Sequence, residues 1–413
     1  MVTTHHAVNA HGASMTTAGG RHALHGLRVL DVTQVMAGPY CAMVLADLGA
    51  DVIKIEPPGG DSTRQMPGAI GSDSPSFNAV NRGKRSIVLN LKLPEGRDVF
   101  QRLAVSADVI IENYRPGVMA SFGLDYGPLS ALNPRLIYAS VSGYGQTGPH
   151  SGKGGFDLIA QGVAGIMSIT GEPGRPPAKV GVPLTDLGAA LFALVGILAA
   201  LELRHRTGTG QYVDTSLLDA GVALSVWEAT EYFSGADKPM PMGSAHRMTA
   251  PYQAIRCADG YITIGAGNDR LFRRFSDLLG HPEWAEAPEF RDNSSRVRNR
   301  ADLAARIEAV TIDRSRDYWL ALLDAKDIPS GPINDYSQVF ADPQVVAREM
   351  VVETEHPKLG HLKTLGSPIK LSASPPDVCR RAPLLGEHTD DVLRETGFST
   401  SEIDALREAG VVG

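Results

Sequence analysis

From Leu27 onward the apolar residues gather in short Val/Ile-rich runs: Leu27–Thr33, Asp51–Glu56, Ser86–Leu91, Asp108–Asn113 and Leu136–Gly143. Each run predicts a strand. Between them, Pro39–Leu48 and Pro94–Ser106 predict helices, the first ended by Gly49 and the second opened by proline. Strands that alternate with helices predict a parallel sheet with crossover helices, so this half of the chain reads as α/β and Rossmann-like. A long helix is expected over Leu187–Arg206, closed by Thr207-Gly-Thr-Gly210, because glycine commonly follows a helix end. A strand over Gln211–Thr215 and a helix over Ser216–Phe233 follow.

The texture changes at Ser234. Ser234–Gly243 mixes Gly, Pro and Met without periodicity, as a linker does. Tyr252–Cys257 and Tyr261–Ile264 flank Ala258-Asp-Gly260, a hairpin signal. Helical segments continue to about Lys326, so residues 235–340 read as a smaller second domain with both helices and strands. The tail, 345–413, has strand-like pieces and an amphipathic end helix over Ser401–Ala409.

Composition narrows the class. The 413 residues carry a formal charge of −7, from 39 Lys+Arg against 46 Asp+Glu, which offers no broad footprint for nucleic acid. Local cationic spots for a phosphorylated small molecule remain compatible with it. Cys41, Cys257 and Cys379 are odd in number and far apart, and they suggest neither a disulfide framework nor a metal site. They read as reduced thiols of a cytoplasmic protein. The apolar run Leu187–Leu201 spans 15 residues, short for a membrane crossing and suited to a buried core helix. Residues 1–22 lack a signal-peptide pattern and read as a flexible extension. Its His5, His6 and His11 are better explained by a tail than by a metal site.

Two nucleotide motifs fail. Met36-Ala-Gly-Pro39 stands after the first strand, where a dinucleotide fingerprint would need G-x-G-x-x-G. The stretch Gly148–Gly154 has the wrong glycine spacing for a P-loop, and Gly154 replaces the hydroxyl residue.

Four other segments carry candidate chemistry. Asp186, in Pro183-Leu-Thr-Asp-Leu-Gly188, reads first as an N-cap of the apolar helix. The same position would hold an ionised carboxylate suited to attack on an acyl group. Asn113-Tyr-Arg-Pro-Gly117 leaves a strand at the sheet edge where α/β folds bind ligands, so Arg115 either grips phosphate or is solvated. Ser142-Gly-Tyr-Gly-Gln-Thr-Gly-Pro149 holds three glycines, read either as close backbone approach to a ligand or as a plain turn. His246 and Arg247, in Gly243-Ser-Ala-His-Arg247, either pair with an anionic substrate or are simply exposed.

Taken together, these pieces resemble the class III CoA-transferases. The resemblance runs from about Leu24 to Val412. It is carried by Leu30-Asp-Val-Thr-Gln-Val-Met-Ala-Gly-Pro39, Gly49-Ala-Asp-Val-Ile-Lys-Ile-Glu56, Asn81-Arg-Gly-Lys-Arg-Ser86 and Glu112-Asn-Tyr-Arg-Pro-Gly117. Further matches are Gly143-Tyr-Gly-Gln-Thr-Gly-Pro149, Arg206-Thr-Gly-Thr-Gly-Gln211 and Ala382-Pro-Leu-Leu-Gly-Glu-His-Thr389. The resemblance implies an interlocked homodimer, with a large CoA-binding domain from residues 23–225 and 345–413 and a small domain over 235–340. It implies that Asp186 is the nucleophile, working through an aspartyl anhydride and an aspartyl-CoA thioester. It also implies a CoA site at Met36, Ala37, Leu89–Lys92, Asn113, Tyr114, Arg115, Ser142, Gly143, Tyr144 and Gly145. CoA enters as a substrate, and neither a metal nor a tightly bound cofactor is implied.

Departures from the family pattern refine this. Met36, Pro57, Ser121 and Ser142 replace polar or cationic residues of the formyl-CoA branch, which leaves Arg115 and Lys92 to carry more of the phosphate charge. Gly155-Phe-Asp157 stands where the racemase branch has G-H-D, and phenylalanine cannot move a proton. Gly243–Gln253, Ile264–Asn268 and Gly331–Asn334 are similar to the branch that uses succinyl-CoA and dicarboxylic acids. His246 and Arg247 are then expected partners for the distal carboxylate. The expected acceptors are acids of the glutarate, itaconate, mesaconate or citramalate type. The rival readings are an α-methylacyl-CoA racemase-like isomerase and a non-catalytic acyl-CoA-binding homologue.

Overall fold

The computed structural model describes residues 22–71, 73–235 and 237–413; the extension with His5, His6 and His11 lies outside the described residues. Six parallel strands form the main sheet: β1 (Arg28–Val32), β2 (Asp51–Glu56), β3 (Arg85–Val88), β4 (Val109–Glu112), β5 (Ile137–Ser142) and β6 (Tyr212–Ser216). Their order is β3-β2-β1-β4-β5-β6. The fold is therefore α/β, as the alternation of strands and helices predicts. The order reverses between β1 and β4, and the crevice beyond the carboxyl ends of those two strands is where such sheets bind ligands. β3 stops short of the expected Leu91: the Leu89 N–H still donates to the Glu56 carbonyl of β2 at 2.8 Å, and Leu89 also forms an isolated antiparallel bridge with Val412.

Nearly every residue of β1 to β5 is buried, because helices cover both faces. One face packs against α1 (Ala37–Asp47) and the long apolar helix, the other against α2 (Pro94–Val105). Val392, Leu393, Phe398, Ile403, Val411 and Val412 complete that second core, so the last residues of the chain fill a space that the first half opens. Ile255, Ile262, Phe272, Phe275, Trp284 and Leu323 belong to a separate core around the antiparallel strands Tyr252–Cys257, Gly260–Gly265 and Ser330–Pro332. The tail folds a hairpin, Val351–His356 with Gly360–Leu365.

A buried ionic layer fixes the loop between β1 and α1. Lys54 donates to the Thr33 carbonyl at 2.9 Å, and Lys84 donates to the Pro39 carbonyl at 2.9 Å and to Asp31 at 2.7 Å. Burial alone would raise the Asp31 carboxyl, but Lys84 and Lys54 outweigh it and hold it down to about 2. Both ends of the Thr33–Pro39 loop are therefore tied to ammonium groups.

Two helical expectations change. A helix α3 (Asp157–Val163) precedes α4, which runs over Leu184–Thr207, three residues earlier than periodicity suggests. At 24 residues α4 is longer than the 15-residue apolar run and would pass for a membrane crossing by length and composition alone, as core helices also do. Here its stripe of Ala189, Ala190, Ala193, Ile197, Ala200 and Leu201 is buried against α1 and the sheet. The helix ends at Gly208 in the left-handed conformation (φ 75°). The single helix expected over Ser216–Phe233 is two, α5 (Leu217–Leu224) and α6 (Val226–Phe233). Ser225 breaks it, turning its hydroxyl back to the Gly221 carbonyl at 3.1 Å.

Candidate active site

A cavity of about 270 Å³ opens at the carboxyl ends of β1 and β4, at the switch point of the sheet. Its walls come from four chain segments, Gln34–Ala37, Asn113–Pro116, Val141–Gly143 and Lys153–Phe156, with Asp186 and Leu217.

The first two segments are clipped together. The Asn113 amide accepts from the Gln34 N–H and donates to the Gln34 carbonyl, each at 2.8 Å. The Tyr114 N–H donates to Glu112 at 2.8 Å, which sets the direction of the Asn113–Arg115 turn. Val35 has φ 72°, a conformation costly for a β-branched residue. Arg115 and Lys153 bring two cations to the cavity, and neither has an ion-pair partner among the described residues.

Asp186 lies in the first turn of α4 but does not cap it. The N-cap is Pro183, which has no side-chain acceptor, and Asp186 stands three residues further on. This corrects the capping expectation. The cap is supplied by Asp157, whose Oδ1 accepts from the Thr185 N–H at 2.9 Å and from its hydroxyl at 2.8 Å. The Asp186 carboxylate accepts no hydrogen bond among the described residues, so its oxygens are free to react. Burial and then the nearby charge of Asp157 push its carboxyl up to about 6.

The glycines after β5 have two separate purposes. A Cβ on Gly143 would sit 2.6 Å from the Gly155 Cα, and one on Gly155 would sit 2.5 Å from the Gly143 Cα. The close approach is therefore backbone to backbone, not backbone to ligand. Gly145 and Gly148, each at φ 87°, make the turn.

Met36, Ala37, Asn113, Tyr114, Arg115, Ser142, Gly143 and Asp186 thus line one cavity. Leu89 and Lys92 lie outside its walls, Leu89 buried and Lys92 exposed. Tyr144 and Gly145 continue the same turn without lining the cavity, and the Gly145 N–H donates to Ser142 Oγ at 3.0 Å. His246 and Arg247 line a different cavity of about 140 Å³ with Trp227, Glu228 and Glu231. There Arg247 approaches Glu231 at 3.3 Å, and His246 lies edge-on to Tyr252. The sequence reading missed Gln34, Val35 and Leu217, and passed over Lys153 because the loop carrying it fails as a P-loop. Phe156, which lacks proton chemistry, is exposed and forms part of the cavity wall.

A family model described as CoA-transferase family III matches residues 24–389. The chain belongs to that family. Human succinyl-CoA:glutarate CoA-transferase is 40% identical over 392 residues, covering 94% of this chain and 90% of that protein. Succinyl-CoA:mesaconate CoA-transferase of Haloarcula marismortui is 41% identical, covering 92% of this chain and 97% of its own length. The crystal structure of a CAIB/BAIF family protein from Brucella suis superposes with a TM-score of 0.81 at 41% identity, covering 91% of this chain and all of that one. This class III CoA-transferase is thus an enzyme acting on CoA thioesters, and its cavity lies where an α/β sheet binds ligands.

Proposed function

We propose that this class III CoA-transferase moves CoA from succinyl-CoA to a small dicarboxylic acid, with Asp186 as the nucleophile. One observation carries the reading: a carboxylate at a helix N-terminus that accepts no hydrogen bond among the described residues, on the wall of a cavity that also holds two cations without ion-pair partners among those residues. The carboxylate oxygen attacks the thioester carbonyl, and the C–S bond breaks to release CoA thiolate. The thiolate attacks the aspartyl carbon of the resulting anhydride, and the C–O bond breaks to release the donor acid. The acceptor carboxylate then attacks the aspartyl thioester and releases the thiolate, which attacks the acyl carbon of the new anhydride. That step restores Asp186 and releases the new acyl-CoA. No proton or electron is gained or lost overall, and each exchange is between acyl groups of similar energy. Names of relatives at about 40% identity, glutarate in one and mesaconate in another, support the dicarboxylate class.

Arg115 and Lys153 are assigned to the CoA phosphates, and Met36 and Ala37 present the N-terminus of α1 to the same anion. Arg115→Ala is expected to raise KM for the acyl-CoA by roughly 10- to 100-fold with a smaller change in kcat, because a charge-assisted contact is worth about 1.5–3 kcal/mol. Initial rates at varied acyl-CoA check it.

The proposed assembly is an interlocked homodimer. Exposed Leu191, Phe192 and Val195 on α4 and Val226, Trp227 and Phe233 on α6 supply apolar surface for a second chain. His246 and Arg247 are the proposed partners of the distal carboxylate. That role depends on the dimer, since within one protomer they line a different cavity from Asp186.

The test is intact mass spectrometry after mixing with succinyl-CoA and then hydroxylamine, followed by peptide mapping. A hydroxamate at Asp186, lost in Asp186→Ala, is the expected result. Its absence with every acyl-CoA donor would remove the covalent mechanism, and α-proton exchange in deuterated water would then test the racemase-like alternative, which Phe156 disfavours. A panel of glutarate, itaconate, mesaconate and citramalate identifies the acceptor.

A further inference from the structure

We propose that Asp157 is a positioning residue for CoA transfer: it holds the first turn of α4 from outside the helix and presents a second negative charge to the nucleophile. The inference rests on Asp186 being that nucleophile.

A helix start leaves four backbone N–H groups without partners. Pro183 offers no side chain to accept from them, and Thr185 is fully buried, so its N–H cannot turn to bulk water. Asp157 meets both the N–H and the hydroxyl of Thr185 with one oxygen. Its other oxygen accepts from Gln161 Nε2 at 2.8 Å. Gln161 is itself fully buried and accepts from the Val180 N–H at 2.8 Å. The Asp157 carboxylate therefore has little freedom. Two residues upstream, Gly155 is pressed against Gly143 at the end of β5. A continuous series of contacts runs from the sheet through Gly143, Gly155, Asp157 and Thr185 to Asp186. A nucleophile held this way spends little of the reaction barrier on orientation.

The charge of Asp157 matters separately. It opposes ionisation of Asp186, and a more basic carboxylate is a better nucleophile once ionised. The other charged groups facing this region are Arg115 and Lys153 across the cavity and Asp219 of α5 beside Gly145. α1 brings no acidic residue in its first turn, β5 brings no charged residue, and β6 brings Asp214, which accepts from the Gln146 N–H. Burial, and after it the charge of Asp157, raises the Asp186 carboxyl.

The experiment compares wild type, Asp157→Ala and Asp157→Asn as full-length enzymes, measuring kcat, KM and the pH profile of kcat/KM, with circular dichroism for folding. Asp157→Ala is expected to lower kcat about 10- to 100-fold while KM for succinyl-CoA changes less than about threefold. Asp157→Asn keeps an oxygen for the Thr185 N–H. It is expected to recover most of kcat at pH 8, while the acid limb of its profile moves to lower pH because the like charge is gone. A merely structural role would leave that limb in place. If Asp157→Ala fails to fold, the asparagine variant decides alone. An acid limb unchanged in Asp157→Asn, or an unchanged kcat in a folded Asp157→Ala, overturns the proposal. Wild type is treated with hydroxylamine in parallel. A hydroxamate at Asp186 with wild-type behaviour of both variants sinks only this inference, whereas no hydroxamate removes the nucleophile reading and this inference with it.

Discussion

Asp186→Asn is expected to lower kcat by about ten-thousandfold or more, with little change in KM for the acyl-CoA. The amide is nearly the same size and keeps the helix turn, but it cannot attack a thioester. Asp186→Glu keeps the charge and moves it by one methylene, so it is expected to lose roughly a hundredfold through misplacement alone. The wild-type pH profile follows from the same group. The carboxylate is the reactive form and its pKa is about 6, so kcat/KM falls as pH drops through 6. Stability moves the other way. Keeping the group ionised where its pKa is about 6 instead of 3.8 costs folding stability above pH 6, and costs nothing below the ordinary carboxyl value. Allowing for its partial exposure, that cost is about 1–2 kcal/mol. Asp186→Asn is therefore expected to melt higher than wild type at pH 8, and the advantage to vanish near pH 4. Calorimetry at the two pH values checks the sign. An inactive variant that is also more stable is what a site kept ready for chemistry predicts.

The sheet was legible because its strands are buried on both faces, and a strand of that kind reads as a continuous Val/Ile run. Asp51–Glu56 falls where its residues predict to the position. Asp186 and Arg115 were also legible, one beside a long apolar helix and the other after a strand. The errors have a common physical form. The start of α4 was misplaced because its cap comes from Asp157, about thirty positions earlier, and local capping rules look only at neighbours. The glycines after β5 left two readings open because the partner of Gly143 is Gly155, a contact between backbones with no periodic trace. The place of Lys153 is hidden because its loop fails as a phosphate motif, whereas the fold brings its ammonium group to the cavity wall. The break at Ser225 was hidden because α5 and α6 together keep a helical composition.

That backbone contact supports the second large effect. Gly155→Val is expected to lower kcat by roughly a hundredfold or more while the protein remains folded. Neither Gly143 nor Gly155 has a φ that demands glycine, so the obstacle is space alone. A Cβ at Gly155 would lie 2.5 Å from the Gly143 Cα, against backbone that has no rotamer to change. The two segments must separate by an ångström or more, at a cost of about 1–3 kcal/mol. Phe156 and Asp157 move with Gly155, and the turn that carries Asp186 loses its external cap. Gly154→Ala is the matching control. Its Cβ would meet Arg115 Nη2 at 2.8 Å, the far end of a flexible side chain that can swing aside. That variant is expected to keep kcat and raise KM for the acyl-CoA by less than about tenfold, as a displaced phosphate contact does. Steady-state kinetics on the pair separate the two effects. A kcat defect in the valine variant and a KM defect in the alanine variant would mean that neighbouring glycines serve different ends, one positioning the nucleophile and the other leaving room for the cation. Equal defects in both would mean that the loop moves as a unit, and that the Gly143–Gly155 contact has no special connection to Asp186.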